Sequence, residues 1–152
     1  MEQEEKVVSF FRFEDLRVYA KATDYASWVC KQFAGAASDG GKTLVQSMCH
    51  SAYDIALNIA EGSSRSKSQF DHYLKIAKTA IRECVVYTEV AANTGLFGEE
   101  QKNQSREYLM ELTRMIGALI ISLQRNNERH QQRMDDSQAA DDDAYSNDEM
   151  SY

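Results

Sequence analysis

Asn58-Ile59-Ala60-Glu61-Gly62-Ser63-Ser64-Arg65-Ser66-Lys67-Ser68-Gln69-Phe70 joins two long apolar periodicities through a short polar turn. Upstream, Leu44, Met48, Ala52, Ile55 and Ile59 recur at helical spacing and stop before Gly62. A glycine just past the last periodic residue ends a helix readily, because it accepts positive φ without a Cβ clash. Downstream, Ser66 or Ser68 can accept from the first N–H groups of a helix whose apolar register opens at Phe70. The stretch predicts helix, turn, helix.

Working outward, the same periodicity repeats. A third helix from Gln69 to about Asn93 carries Phe70, Leu74, Ala77, Ile81, Cys84, Thr88 and Ala91, which step by 4, 3, 4, 3, 4 and 3. That heptad seam predicts near-parallel packing at ~20°. Asn93-Thr94-Gly95 ends it, and Leu96 and Phe97 can pack back onto the bundle. A fourth helix from Glu99 to about Asn126 has the row Leu109, Leu112, Ile116, Leu119 and Leu123, widened by Tyr108, Met115 and Ile120. Helix two covers roughly Thr43 to Glu61. Helix one, Glu14 to Phe33, bears two rows: Leu16, Ala20, Thr23, Ser27 and Cys30, and beside it Val18, Ala22, Tyr25, Val29 and Phe33. Residues 35–41 read as a flexible connection. No strand pattern occurs, and proline is absent. The fold class expected is all-α, an up-down-up-down four-helix bundle over residues 13–133, preceded by an N-terminal arm at 1–12. The second row on helix one and the broad stripe on helix four exceed what one bundle buries, so self-association is expected.

Composition narrows the class. With 152 residues and 43% hydrophobic content the chain suits one soluble core. No apolar run approaches the ~18–20 residues of a membrane span, and Met-Glu-Gln-Glu-Glu-Lys is unlike a signal peptide, so the chain reads as cytoplasmic with no membrane partner. Cys30, Cys49 and Cys84 form no C-x-x-C pair and read as buried thiols rather than a disulfide framework. The net charge of −7 is uneven. Seven acids and no Lys or Arg lie within residues 134–152, and without them 17 acids face 17 bases. That segment reads as a disordered acidic tail, or as an electrostatic arm for a partner.

Catalytic constellations are sought and not found. Di-iron carboxylate chemistry needs paired Glu-x-x-His motifs, but Ser47, Gln69 and Asn127 stand three residues before His50, His72 and His130. Gly40-Gly41-Lys42-Thr43 echoes a phosphate loop yet has Ala36 where the first glycine belongs. Cys49 and His50 are neighbours that point about 100° apart on a helix. No cofactor, metal or small-molecule substrate is expected, and no enzyme. Glu61, on a helix's last turn, opposes the dipole and is expected in a buried or half-buried polar clamp with Arg65, Arg82 or Asn58. Arg65, Lys67, Lys75, Lys78 and Arg82 concentrate positive charge after the turn, and the last three share one face. They read either as an exposed face paired with Asp71 or as phosphate contacts for nucleic acid. Arg125, Arg129 and Arg133 suit a helix C-terminus.

Phe13-Glu14-Asp15-Leu16-Arg17-Val18, the core Asn58-Ile59-Ala60-Glu61-Gly62, and Arg65, Phe70, Leu74, Ala77 and Glu83 together resemble a four-helix-bundle family. This is the family encoded within intervening sequences of bacterial 23S ribosomal RNA genes. A related branch is the accessory variability determinant of diversity-generating retroelements. The resemblance spans about Phe13 to Asn126. It implies a homopentameric, non-enzymatic adaptor or scaffold with Asn58, Glu61 and Gly62 as its family-motif turn. The retroelement branch implies an alternative, binding of nucleic acid or a nucleic-acid enzyme through basic surface. His50 and Ala56 stand where the family often has Arg and Pro, and the acidic tail is an addition.

Overall fold

One apolar row from each long helix enters a shared core in the computed structural model, which describes residues 10–34 and 41–148. Residues 1–9 of the expected arm, 35–40 of the connection and 149–152 of the tail lie outside the described residues. A 3-10 turn, Arg12–Asp15, precedes α1 (Arg17–Gln32), α2 (Lys42–Ser63), α3 (Lys67–Asn93) and α4 (Glu99–Asp148). No strand occurs among the described residues. α1 packs on α2 and α4, and α3 packs on α2 and α4, so the helices stand at the corners of a square in chain order. The all-α four-helix fold expected from the periodicity is the fold observed.

The heptad seam on α3 is the clearest case. All seven residues are buried, with Ala80 beside them. On α2 the buried row is Met48, Ala52, Ile55 and Ile59, with Leu44 half-buried. Of the two rows on α1, Val18, Ala22, Tyr25, Val29 and Phe33 enter the core. The other row stays at the surface or half-buried. Phe97 folds back as expected, stacking on Phe33 with ring centroids 5.2 Å apart, and Trp28 meets its edge at 5.8 Å.

Two boundaries differ from expectation. Helix one begins later, because Leu16 is extended (ψ 124) between the 3-10 turn and Arg17. Helix four does not stop near Asn126 but continues to Asp148, through most of the acidic segment expected to be disordered. Its side chains at 124–140 are all exposed, so no core holds this extension. The physical reason is cooperativity: a helix is costly to nucleate and easy to propagate, and no Gly or Pro interrupts residues 118–148. Local bonds add to it, Gln131 Nε2 donating to Asp135 Oδ1 at 3.0 Å and Ser137 Oγ to the Arg133 carbonyl at 2.8 Å.

One polar chain crosses the core. Tyr25 OH lies 2.9 Å from Ser105 Oγ, which lies 2.7 Å from Thr88 Oγ1, and Thr88 donates to the Cys84 carbonyl at 2.7 Å. Because Thr88 spends its proton on Cys84, Ser105 must donate to Thr88 and Tyr25 to Ser105. Each hydroxyl donates once, and α1, α4 and α3 are tied together with all three residues buried. Burial pushes the Tyr25 phenol well above its ordinary value and the Cys84 thiol up to about 12.

Removing the middle of this chain should cost most. Ser105→Ala strands a buried phenol donor and is expected to lose about 1–3 kcal/mol, against about 1 kcal/mol for Tyr25→Phe, measured by urea unfolding. Equal losses would contradict the directed chain. The folded state prefers neutral Cys84 and Tyr25, so their contribution is intact below pH 9 and is lost as the pH rises towards 12. The urea midpoint should therefore decline above pH 9, less steeply in Cys84→Ala, and a flat profile to pH 11 would refute this.

Candidate functional site

The family-motif turn is built by three residues between α2 and α3. Ser66 is the N-cap of α3, its Oγ accepting from the Gln69 N–H at 3.3 Å. Gly62 does not end α2 by positive φ as the sequence suggests. It lies inside the last turn of α2, and Gly95 is the residue with positive φ (78°) among those described. Gly62 is instead a contact. A Cβ there would stand 2.6 Å from the Tyr73 Cβ and 2.9 Å from the Phe70 ring. Only a missing side chain lets α3 approach this closely.

Glu61 holds Arg65, accepting from its Nε at 3.0 Å and from its second guanidinium nitrogen, while the guanidinium lies 5.4 Å from the Tyr73 ring centre. The expected clamp thus forms with Arg65, but at the surface rather than buried. Asn58 takes no part in it and donates to the Asp54 carbonyl on its own helix at 2.7 Å. Arg82 is not a partner of Glu61.

Of the sequence-derived basic group, Lys75 pairs with Asp71 at 3.0 Å and Arg65 with Glu61. Lys78 is half-buried, and Lys67 and Arg82 are exposed. Lys67, Lys78 and Arg82 have no ion pair among the described residues. Across the helices, Ser51 Oγ donates to Glu83 Oε2 at 2.7 Å and Lys21 pairs with Glu111 at 2.6 Å.

Two concavities were not legible in the sequence. An open groove of about 820 Å³ runs between α1 and α2, walled by Tyr19, Thr23, Ala26, Cys30, Tyr53 and Leu57. Thr23, Ser27 and Cys30 of the outer row of α1 line it, so the second stripe was the available signal. Within it Cys30 Sγ lies 3.0 Å from Tyr53 OH and 3.9 Å from Cys49 Sγ. Burial, then Cys30, pushes the Cys49 thiol up to about 11, so it stays protonated. The second concavity, about 590 Å³, lies between the start of α3 and the middle of α4 and is lined by Ser, Asn, His, Lys and Arg side chains.

No group of three or more His, Cys, Asp or Glu among the described residues could hold a metal ion. No helix among them is long and apolar enough to cross a membrane. The class defined is an all-α bundle whose special features are close helix contacts and two surface concavities. Residues 14–118 match the family described as 23S rRNA-intervening sequence protein, and the chain belongs to that family. No curated protein matches it.

The two helical glycines make a matched test. Gly62→Ala should lose about 1–3 kcal/mol through overpacking, despite alanine's better helix propensity. Gly117→Ala, in open space on α4, should gain up to about 1 kcal/mol. A stabilising Gly62→Ala in thermal unfolding would disprove the close-contact role.

Proposed function

We propose that this chain is a homo-oligomeric four-helix-bundle scaffold, assembled by docking a second copy into the groove between α1 and α2. The observation that carries the reading is the groove's chemistry. Lys31 is the one charged residue among the described residues on its walls, and Leu57 and Tyr53 remain 62% and 44% exposed. Beside it, the chain displays its own plug. Phe10 and Phe11 are 91% and 55% exposed, and Phe11 is joined through Phe13 (5.9 Å between centroids) to the groove edge. Covering such rings is favourable by roughly 1.5–3 kcal/mol each. Plug and socket are different patches, so the contact is heterologous and closes into a ring when the rotation permits. A ring of five is the number the family resemblance implies.

In this reading the protein carries no catalytic step and acts as an adaptor, its partners docking on the outer faces of the assembly. The three free cysteines suit a reducing, cytoplasmic setting. The alternative, nucleic-acid contact through Arg65, Lys67, Lys75, Lys78 and Arg82, has weaker support, since Arg65 and Lys75 are already paired with their own helical neighbours.

Sedimentation at micromolar concentration should give an oligomer, and Leu57→Glu should give a folded monomer with unchanged helicity. A thermal midpoint that rises with protein concentration should accompany the wild-type assembly. A monomeric wild-type chain would end the proposal.

A further inference from the structure

Arg125, Arg129 and Arg133 would need no ligand if α4 ended beside them, because cations suit a helix C-terminus. α4 continues to Asp148, so these arginines lie in mid-helix and that explanation lapses. Arg129, His130 and Arg133 form one wall of the 590 Å³ cleft. Ser66, Lys67 and Ser68, at the start of α3, form the other, with two asparagines at 126 and 127 completing it. Every described side chain lining the cleft can donate a hydrogen bond, and none of these is acidic or apolar. Lys67, Arg129 and Arg133 have no ion pair among the described residues. Of the acids close in sequence, Asp71 holds Lys75 and Asp135 accepts from Gln131, while Glu128 and Asp136 are exposed on α4 and do not line the cleft.

We propose that this cleft binds the phosphodiester backbone of a nucleic-acid strand, with Lys67 of α3 and Arg129 and Arg133 of α4 supplying the charge. Backbone phosphates are held by the side chains gathered here: Arg, Lys, Ser and Asn. An acidic protein segment fits less well, since such contacts draw their affinity from buried aromatic or aliphatic anchors and the cleft offers none. No Phe, Tyr or Trp is among the described residues that line it, and its charged groups address the backbone, so binding is independent of sequence. The site differs from the helix-three stripe read from the sequence, sharing only Lys67 with it. It is also separate from the α1–α2 groove, so it stands or falls apart from the scaffold reading.

The test is fluorescence anisotropy with the full chain and labelled single strands of about 20 nucleotides, one RNA and one DNA of the same sequence. Both should bind within a few-fold of each other, weakening as salt rises from about 50 to 200 mM. Arg129→Ala with Arg133→Ala should weaken both by roughly tenfold or more and lower the log–log salt slope by about 1.4, at ~0.7 per lost contact. Both positions are exposed on a helix, so circular dichroism should be unchanged. Lysine at both positions should restore most of the affinity. No binding, or binding indifferent to the double variant, would overturn the proposal. So would loss confined to Lys75→Ala, Lys78→Ala and Arg82→Ala, or a response to RNA alone. Displacement of the strand at equal concentration by a peptide of residues 134–149 would reassign the cleft to acidic polypeptide and likewise overturn it.

Discussion

The approach of α3 to α2 at Gly62 is the constraint on which the bundle's geometry depends. A side chain there would overlap the Tyr73 Cβ, so the two backbones meet where only glycine fits. Three residues, 64–66, then reverse the chain, and the Ser66 cap starts α3 at once. A turn this short keeps the two helices neighbours, and their packing along α2 and α3 makes them an antiparallel pair. From that point the 4-3 seam on α3 keeps the same face inward along its whole length, because a heptad repeat follows a neighbouring helix instead of drifting around it. α2 supplies Met48, Ala52, Ile55 and Ile59 against it.

The far side of the core is held differently. The chain Tyr25, Ser105, Thr88 and the Cys84 carbonyl crosses between three helices with one proton per link. Apolar contacts are non-directional and by themselves tolerate a change of registry more readily than polar ones. A directed hydroxyl chain does not, because any shift leaves a buried donor unpaired. Apolar packing at the Gly62 end and polar registry across the core together fix how the square of helices closes. What that closure leaves outside is equally determined. α1 can turn only one of its two rows inward, and Thr23, Ser27 and Cys30 of the other become a wall of the groove with Tyr53 and Leu57.

Much of this was legible in the sequence, for identifiable reasons. The buried face of α3 was readable residue by residue, since periodicity reports burial directly when a helix has one apolar side. The Phe97 fold-back and the helical end at Gly95 were readable for the same local reasons. The family-motif turn was located correctly but its glycine misread, because positive φ and close approach leave the same residue in a sequence. The Glu61–Arg65 pair was legible as an i,i+4 step, whereas its exposure and Asn58's separate bond were not. α4's length was underestimated because composition speaks to whether a segment can order itself alone. It says nothing of what a helix already nucleated will propagate.

By itself, the sequence determined the all-α class, the number of helices, the inward faces of α2, α3 and α4 and the family to which the chain belongs. Those properties follow from spacing along one helix at a time, which is local information. Tertiary structure alone decided the role of Gly62, the hydroxyl chain joining residues 25, 88 and 105, and the two concavities. It also decided the gathering of Lys67 with Arg129 and Arg133. Each of these brings together groups from different helices, and the distance between such groups depends on how the helices pack, which no spacing along a single helix records.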